Sequence, residues 1–185
     1  DEDFWRVYGL GERGTSRTTI FNHWKQVKVV PEGFKLQNFG MDFGYTNDPT
    51  SIVAVYTDGV DFCLDEICYA TGLTNSAIGQ TLRDAGVQRA DVIIADCAEP
   101  KSIDEIHGHG FNIHPCRKGA DSVRAGIDYM RSKKLYITES SINGIKEFRN
   151  YKYKEDKNGK ILNAPVDAFN HFIDASRYAI TFNQS

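Results

Sequence analysis

The sequence predicts an α/β fold: a central mixed β-sheet, built as an antiparallel three-strand meander followed by parallel strands, with helices on both faces. Two patterns carry this expectation. Between residues 36 and 69, three apolar segments follow one another through short connections, as in an antiparallel meander. From residue 74 onward helix-like and strand-like segments alternate, which adds parallel strands to the meander and helices above and below it. The length of 185 residues suits one domain with a sizeable core. With 41% apolar and 25% charged residues the composition is that of a folded globular chain, not a disordered one.

Residues 1–35 read differently from the rest. Phe4-Trp5-Arg6-Val7-Tyr8 precedes a glycine-rich turn, then come Thr18-Thr19-Ile20-Phe21 and the alternating Val27-Lys28-Val29-Val30, before Pro31-Glu32-Gly33 breaks the chain. This segment is expected to be a linker or strand pair attached to something upstream, and the start at Asp1 without Met reads as that of a fragment. The domain proper is expected over 36–185.

The first three strands are predicted at 36–45, 51–57 and 60–69, with the turn signal Asp58-Gly59 before the third. A helix over 74–85 follows, capped by Thr74 or Asn75. The continuous run Val92-Ile93-Ile94-Ala95 within 90–97 is the pattern of a strand covered on both faces. A helix at 101–109, a strand at 111–116, a helix at 122–132, a short strand at 135–138 and a short helix at 142–149 complete the alternation. Asn158-Gly159 centres a hairpin over 151–162. A final helix spans 167–182, with Phe169, Phe172, Ile173, Tyr178 and Phe182 as its apolar positions.

No apolar run is long enough to cross a bilayer, and no signal-peptide pattern opens the chain. Cys63, Cys68, Cys97 and Cys116 lie in or at the end of strand-like segments, which fits small reduced cysteines better than a disulfide framework. The net charge of −3 argues weakly against tight nucleic-acid binding by this domain alone. A site made of carboxylates lowers the net charge, however, and bound cations offset it locally.

Two motifs resemble sites and are read otherwise. Gly9, Gly11 and Gly14 spell G-x-G-x-x-G, but Thr15-Ser16-Arg17-Thr18-Thr19-Ile20 is a poor helix start, so a plain glycine-rich loop is expected instead of a dinucleotide site. No G-x-x-x-x-G-K-[ST] sequence occurs. His107, His109, His114 and Cys116 crowd together, yet their spacing fits no common zinc finger. A polar helix end leading into a strand is expected there, with His114 and Cys116 on one strand face.

Three acidic residues stand out. Asp42 interrupts the apolar first strand, Asp96 ends the run at 92–95, and Asp174 lies among apolar residues of the last helix. An ionised carboxylate in such a place costs several kcal/mol unless something compensates it. Arg177, one turn after Asp174, could serve that residue. Asp96 could cap the helix that begins near Pro100. A divalent cation shared among the three is the remaining solution, because hard cations take oxygen ligands.

These residues also carry a resemblance. Met41-Asp42-Phe43-Gly44-Tyr45-Thr46-Asn47-Asp48-Pro49-Thr50-Ser51-Ile52 resembles the D-x-G-x-x-x-D-P-t-s motif of terminase nuclease domains. Residues 95–103, around Asp96, are similar to that family's second acidic motif, and residues 170–179, from Asn170-His171 through Asp174 and Arg177-Tyr178-Ala179, to its final N-H-x-x-D-A-x-R-Y-A motif. The resemblance runs from about residue 39 to 182. Tyr8-Gly9-Leu10-Gly11-Glu12 resembles the segment that leaves the family's ATPase domain.

The resemblance implies a ribonuclease H-like fold and an endonuclease that cuts concatemeric viral double-stranded DNA during genome packaging. Asp42, Asp96 and Asp174 align with the family's metal ligands for Mg²⁺ or Mn²⁺. Two ions about 3.5–4 Å apart would clamp the phosphate, Asp42 bridging them, and leave 3′-hydroxyl and 5′-phosphate ends. His171 lies one turn before Asp174 on the same face and could contact a metal, orient a ligand or move a proton. Asp167 could cap the final helix or stand outside the metal ligands. Arg117, Lys118, Lys152, Lys154, Lys157 and Lys160 are candidates for contact with DNA phosphates. The alternative for the hairpin lysines is a solvated edge that deters strand pairing. In the full-length protein the implied partners are an N-terminal ATPase motor domain, the terminase small subunit and the portal protein. No membrane is implied, and the place of action is the host cell cytoplasm.

Rival readings are a junction resolvase or ribonuclease H of the same fold, and a non-catalytic docking module. A sugar-kinase or actin-like ATPase would need a second, glycine-rich phosphate loop where Cys97-Ala98-Glu99-Pro100 stands.

Overall fold

The computed structural model describes residues 17–119 and 121–183. Its centre is the expected meander: β2 (Lys35–Asp42), β3 (Thr50–Thr57) and β4 (Phe62–Ala70) pair antiparallel in sequence order. Alternation divides their side chains between two layers. Val53 and Val55 enter one apolar cluster, and Ile52 and Ala54 enter the other. Four further strands extend the sheet: β1 (Trp24–Val27), β5 (Val92–Ala95), β6 (Asn112–Pro115) and β7 (Leu135–Thr138). The sheet order is β1-β7-β4-β3-β2-β5-β6, and every added pairing is parallel. This is the mixed sheet that the sequence predicts.

Helices cover both faces. On one face, α1 (Asn75–Asp84) contributes Ile78 and Leu82, and α2 (Pro100–Gly108) contributes Ile103 and Ile106. Thr74 caps α1 by accepting the Ala77 amide at 3.1 Å. The opposite face carries α3 (Ser122–Arg131), α4 (Ile142–Asn150) and α5 (His171–Thr181). A two-stranded sheet of β8 (Tyr153–Glu155) and β9 (Ile161–Pro165) forms the hairpin expected around Asn158-Gly159.

The boundaries differ from expectation in three places. Residues expected in a start segment pack with the main body: Ile20, Phe21 and Trp24 are buried in its core, and β1 pairs with β7 at the edge of the main sheet. β2 ends at Asp42 instead of running to 45, because Gly44 turns into a tight loop tied to Thr50 Oγ1 at 3.2 Å. The last helix starts at His171, not near Asp167. Phe169 takes a left-handed backbone with φ of 55°, so the chain cannot be helical through it. The glycine motif at Gly9, Gly11 and Gly14 lies outside the described residues.

The topology decides where the acidic residues go. β2 and β5 run parallel with Met41 opposite Ala95, so Asp42 and Asp96 are the next residues at the same end of neighbouring strands. Helix α5 crosses β2 at backbone contact. A Cβ on Gly40 would stand 1.8 Å from the Ala175 carbonyl oxygen, which only glycine permits. Asn38 Nδ2 donates to the Ala179 carbonyl at 2.9 Å and fixes the same helix further along.

A side chain at residue 40 should therefore lift α5 off the sheet. Gly40→Val is expected to cost at least about 1–3 kcal/mol, the range of overpacked cores, read by urea or thermal denaturation. Stability equal to the parent's would contradict this account of the helix seat.

Candidate metal centre

Each of the three aspartates is delivered by a different element. Asp42 is the last residue of β2, Asp96 follows β5, and Asp174 lies in the first turn of α5. The Asp96 amide donates to the Met41 carbonyl at 3.1 Å, and Asp96 Oδ1 accepts the Ala98 amide at 2.9 Å. Asp96 thus holds a turn after its strand; it does not cap α2, whose N-cap position is Glu99.

Burial sets the charge state. The carboxyl of Asp42 is pushed up to about 7, first by desolvation and then by the nearby carboxylates of Asp174 and Asp96, against the pull of the His171 hydrogen bond. Asp174 is also raised, first by desolvation and further by Asp96, while Arg177 and His171 pull it down. The three carboxylates therefore sense one another's charge. Their oxygens do not converge as a set within 4.8 Å of one another; the described residues contain a single trio that does, Asp96 with Cys97 and Cys116. Asp42 and Asp174 turn instead to basic side chains of the last helix.

Those partners are His171 and Arg177. His171 Nδ1 lies 3.2 Å from Asp42 Oδ2, and its Nε2 lies 3.6 Å from Asp48 Oδ1, so the ring bridges two carboxylates. The Asp42 bond raises the imidazole above its ordinary range, against the opposing effect of burial. Arg177 Nη2 donates to Asp174 Oδ1 at 3.3 Å, the partnership that the sequence allowed. Its guanidinium also lies 4.9 Å from the centre of the Tyr178 ring. Burial raises the Tyr178 hydroxyl first, followed by Asp42, Asp174 and Asp96, so this phenol keeps its proton beside the cluster.

Four residues at the site were not singled out from sequence. Asp48 was quoted only as part of the first motif. Tyr178 was read as an apolar helix position. Tyr69 and Glu147 act from below. Glu147, fully buried in α4, accepts the Ile173 amide at 3.1 Å and the Tyr69 hydroxyl at 2.6 Å. It accepts an amide at the N-terminus of α5, where the N-cap Asn170 makes no side-chain cap hydrogen bond. No sequence signal near residue 171 announces it.

The other expected positions fall elsewhere. Asp167 is exposed and accepts a hydrogen bond from Asn170 Nδ2 at 3.0 Å, while Asn170 takes the N-cap position. Arg117 and Lys118 follow β6, next to the strand that leads into Asp96; the Arg117 guanidinium lies 5.4 Å from the centre of the Phe182 ring. Lys152, Lys154, Lys157 and Lys160 are exposed in and beside the β8–β9 hairpin, not on the elements that carry the carboxylates. His107, His109 and His114 form no metal-ligating trio among the described residues. Beside Asp42, the 43–48 loop and the first turns of α1 and α2 line an open cleft of about 540 Å³.

The donor chemistry fits a hard divalent cation. All three groups offer carboxylate oxygens, and the buried Asp42 and half-buried Asp174 carry a desolvation cost that a positive ion would relieve.

Fold and site together define a ribonuclease H-like α/β domain with an acidic cluster at the carboxyl ends of its central strands. The chain belongs to the terminase RNase H-like domain family, whose pattern matches residues 42–181. The large terminase subunit of Bacillus phage SPP1 is 35% identical over 148 residues, covering 76% of this chain and 34% of that protein. The chain thus spans about a third of that curated relative. The solved nuclease domain of the bacteriophage SPP1 large terminase, with bound Mn, superposes with a TM-score of 0.75 at 29% identity, covering 85% of this chain and 94% of that one. The large terminase nuclease of thermophilic phage G20c, with bound magnesium, shares the fold at a TM-score of 0.58 and 13% identity, covering 92% of this chain and 99% of that one.

The raised carboxyls have a consequence for stability. Asp42 holds its proton to about pH 7 in the fold, against an ordinary 3.8. Between those values the unfolded chain has lost a proton that the fold keeps, so stability falls as pH rises through the window. His171 acts in the same sense, its contribution being full below its ordinary value and lost as pH rises through the higher, folded one. In the presence of a chelator, the melting temperature should decline from about pH 5 to about pH 8, and Asp42→Asn should remove much of that decline. A melting temperature that climbs over this range would contradict the electrostatic account.

Proposed function

We propose that this chain is a metal-dependent endonuclease domain that cuts concatemeric viral double-stranded DNA during genome packaging. The observation that carries the reading is the placement of Asp42 and Asp96 at the same end of neighbouring strands and of Asp174 in the first turn of the helix that crosses them, close enough for their charges to act on one another. The family membership and the manganese in the SPP1 domain's structure support it.

Asp42, Asp96 and Asp174 would hold Mg²⁺ or Mn²⁺, two ions in the full site. Bound there, the metal supplies Lewis-acid activation of the attacking water and stabilises the charge on the leaving 3′ oxygen. Asp42 would share the metal site with Asp96 and Asp174, whose charges act on it. His171 is a positioning residue: its Nδ1 holds one Asp42 oxygen and so orients the other, as partners of metal-binding carboxylates do. Arg177 balances Asp174 until a cation arrives. Tyr178 keeps its proton and can donate it as a hydrogen bond at the edge of the cluster. Arg117, Lys118, Lys152, Lys154, Lys157 and Lys160 neutralise DNA phosphates.

In this proposal the nuclease domain is the body built on the seven-stranded sheet, including Ile20, Phe21 and β1 from the segment first read as a linker, and an ATPase motor domain of the full-length protein precedes it. That protein would work with the terminase small subunit and the portal protein in the host cell cytoplasm. No helix among the described residues is long and apolar enough to cross a membrane.

Plasmid nicking with Mn²⁺ or Mg²⁺ tests the reading. Cleavage should require the metal, yield 3′-hydroxyl ends, and fall by at least about a hundredfold in Asp42→Ala and Asp174→Ala. His171→Ala should fall by about 10–100-fold, the usual effect of losing a ligand's supporting partner. Undiminished cleavage by Asp42→Ala would remove the metal assignment. Preference for RNA–DNA hybrid or four-way junctions over duplex DNA would redirect the substrate.

A further inference from the structure

A second set of ligand-bearing side chains meets one step from the all-oxygen cluster. Asp96 and Cys97 follow β5 directly, and Cys116 follows β6. These strands are parallel neighbours with Ala95 opposite Pro115, and the Cys116 amide donates to the Ala95 carbonyl at 2.7 Å. The residues leaving both strands are therefore side by side. A carboxylate oxygen of Asp96 and the sulfurs of Cys97 and Cys116 all lie within 4.8 Å of one another, and all three residues are half-buried. Solvent ions can reach the group, yet its neighbours shield part of it from water.

We propose that Asp96, Cys97 and Cys116 form a binding site for a thiophilic divalent cation of the zinc class, distinct in donor chemistry from the oxygen cluster but sharing Asp96 with it. Sulfur donors select zinc-like ions, whereas magnesium and manganese prefer oxygen, so the two clusters sort cations by softness. Zinc takes sulfur at about 2.3 Å and carboxylate oxygen at about 2.0–2.2 Å in a tetrahedron. Ligand atoms around such an ion stand roughly 3.5–4 Å apart, which small side-chain rotations reach from the present arrangement. Water completes the coordination on the exposed side. Both thiols release their protons to solvent as the ion binds, so the dication replaces two protons and the charge of the group is unchanged. The crowding of His107, His109 and His114 around Cys116 in sequence points to the wrong companions; the sheet gives Cys116 its partners from β5.

One consequence rests on the nuclease reading. An ion held by the thiols engages Asp96, a ligand of the oxygen cluster, so zinc should inhibit cleavage supported by Mn²⁺.

Cobalt(II) absorption tests the site without recourse to activity. Reduced domain titrated with Co²⁺ should develop a thiolate-to-cobalt charge-transfer band that Zn²⁺ abolishes. Affinity should fall roughly tenfold or more in Cys97→Ser and in Cys116→Ser. Asp42→Asn and Cys68→Ser should keep the band. Circular dichroism checks that each variant folds, and Cys97→Ala and Cys116→Ala replace any serine variant that does not. The proposal is overturned if the reduced parent shows no band, or if the band survives loss of both thiols. In nicking assays Cys116→Ser should cut like the parent while resisting zinc. Zinc inhibition equal in parent and Cys116→Ser would overturn the sharing of Asp96. A parent that cuts no DNA counts against the nuclease reading, and the cobalt band still decides the cation site.

Discussion

The backbone contact between α5 and β2 is the constraint on which the rest of the site depends. Side chains normally hold a helix away from a sheet. Here Gly40 has none, and the Ala175 carbonyl occupies the space where its Cβ would stand. The contact brings the first turn of α5 beside the last residue of β2, which is how His171 comes within 3.2 Å of Asp42. Two further glycines let neighbours close around the same helix: Gly126 in α3 makes room for the Arg177 stem, and Gly144 in α4 makes room for the Phe172 ring. Glu147 then grips the amide end of α5 from inside the core. The helix is held along its length and at its start, so the side chains of its first turn have little freedom of position.

That close seat creates the electrostatic problem that defines the site. Carboxylates of Asp42 and Asp174 are brought out of water and into one another's field, and both resist ionisation. In the absence of an external cation the chain answers with His171 and Arg177, one for each. The answer is incomplete, because Asp42 remains raised to about 7 even with the imidazole attached. A fold selected for stability alone would place apolar side chains here, since replacing a buried ionic cluster by well-packed hydrophobic groups is often neutral or stabilising. Perturbed carboxyls of this kind cluster at functional sites.

Much of this was legible because it is local. Three apolar segments joined by short connections, with Asp58-Gly59 between the last two, indicated the meander, the uninterrupted Val92-Ile93-Ile94-Ala95 indicated a doubly covered strand, and each aspartate stood out against apolar neighbours. What escaped depends on contacts remote in sequence. β1 pairs with β7 more than a hundred residues away, so Trp24 read as part of a leading segment although it lies in the core. Glu147 caps a helix in a different element, and a lone acidic residue in an amphipathic segment reads as solvent-facing until its neighbours are known. The early start assigned to α5 came from extending its apolar periodicity across Phe169, whose left-handed backbone no periodicity reveals. Asp48 sat in a recognised motif, but its link to His171 exists only once β2 and α5 meet.

The net charge of −3 bears on how such a domain could act on DNA. Phosphate contacts supply most non-specific affinity and weaken steeply with salt, so an acidic domain with a cluster of aspartates would hold duplex poorly by itself. Under the proposed reading that weakness is tolerable, because a domain tethered to a DNA-bound partner experiences an effective concentration that can reach millimolar for short flexible linkers. Its own cations then need only orient the strand. The sequence concentrates them accordingly: Arg117-Lys118 leave β6, adjacent to the strand that delivers Asp96, and Lys152, Lys154, Lys157 and Lys160 lie in the hairpin that runs toward the start of α5. Both groups adjoin, along the chain or the sheet, elements that carry carboxylates without belonging to them. A phosphate backbone would be drawn toward the flanks and repelled by the centre until cations fill it. Under that reading, the charge distribution that would keep the domain's intrinsic grip weak would also make close approach of the phosphate conditional on the metal.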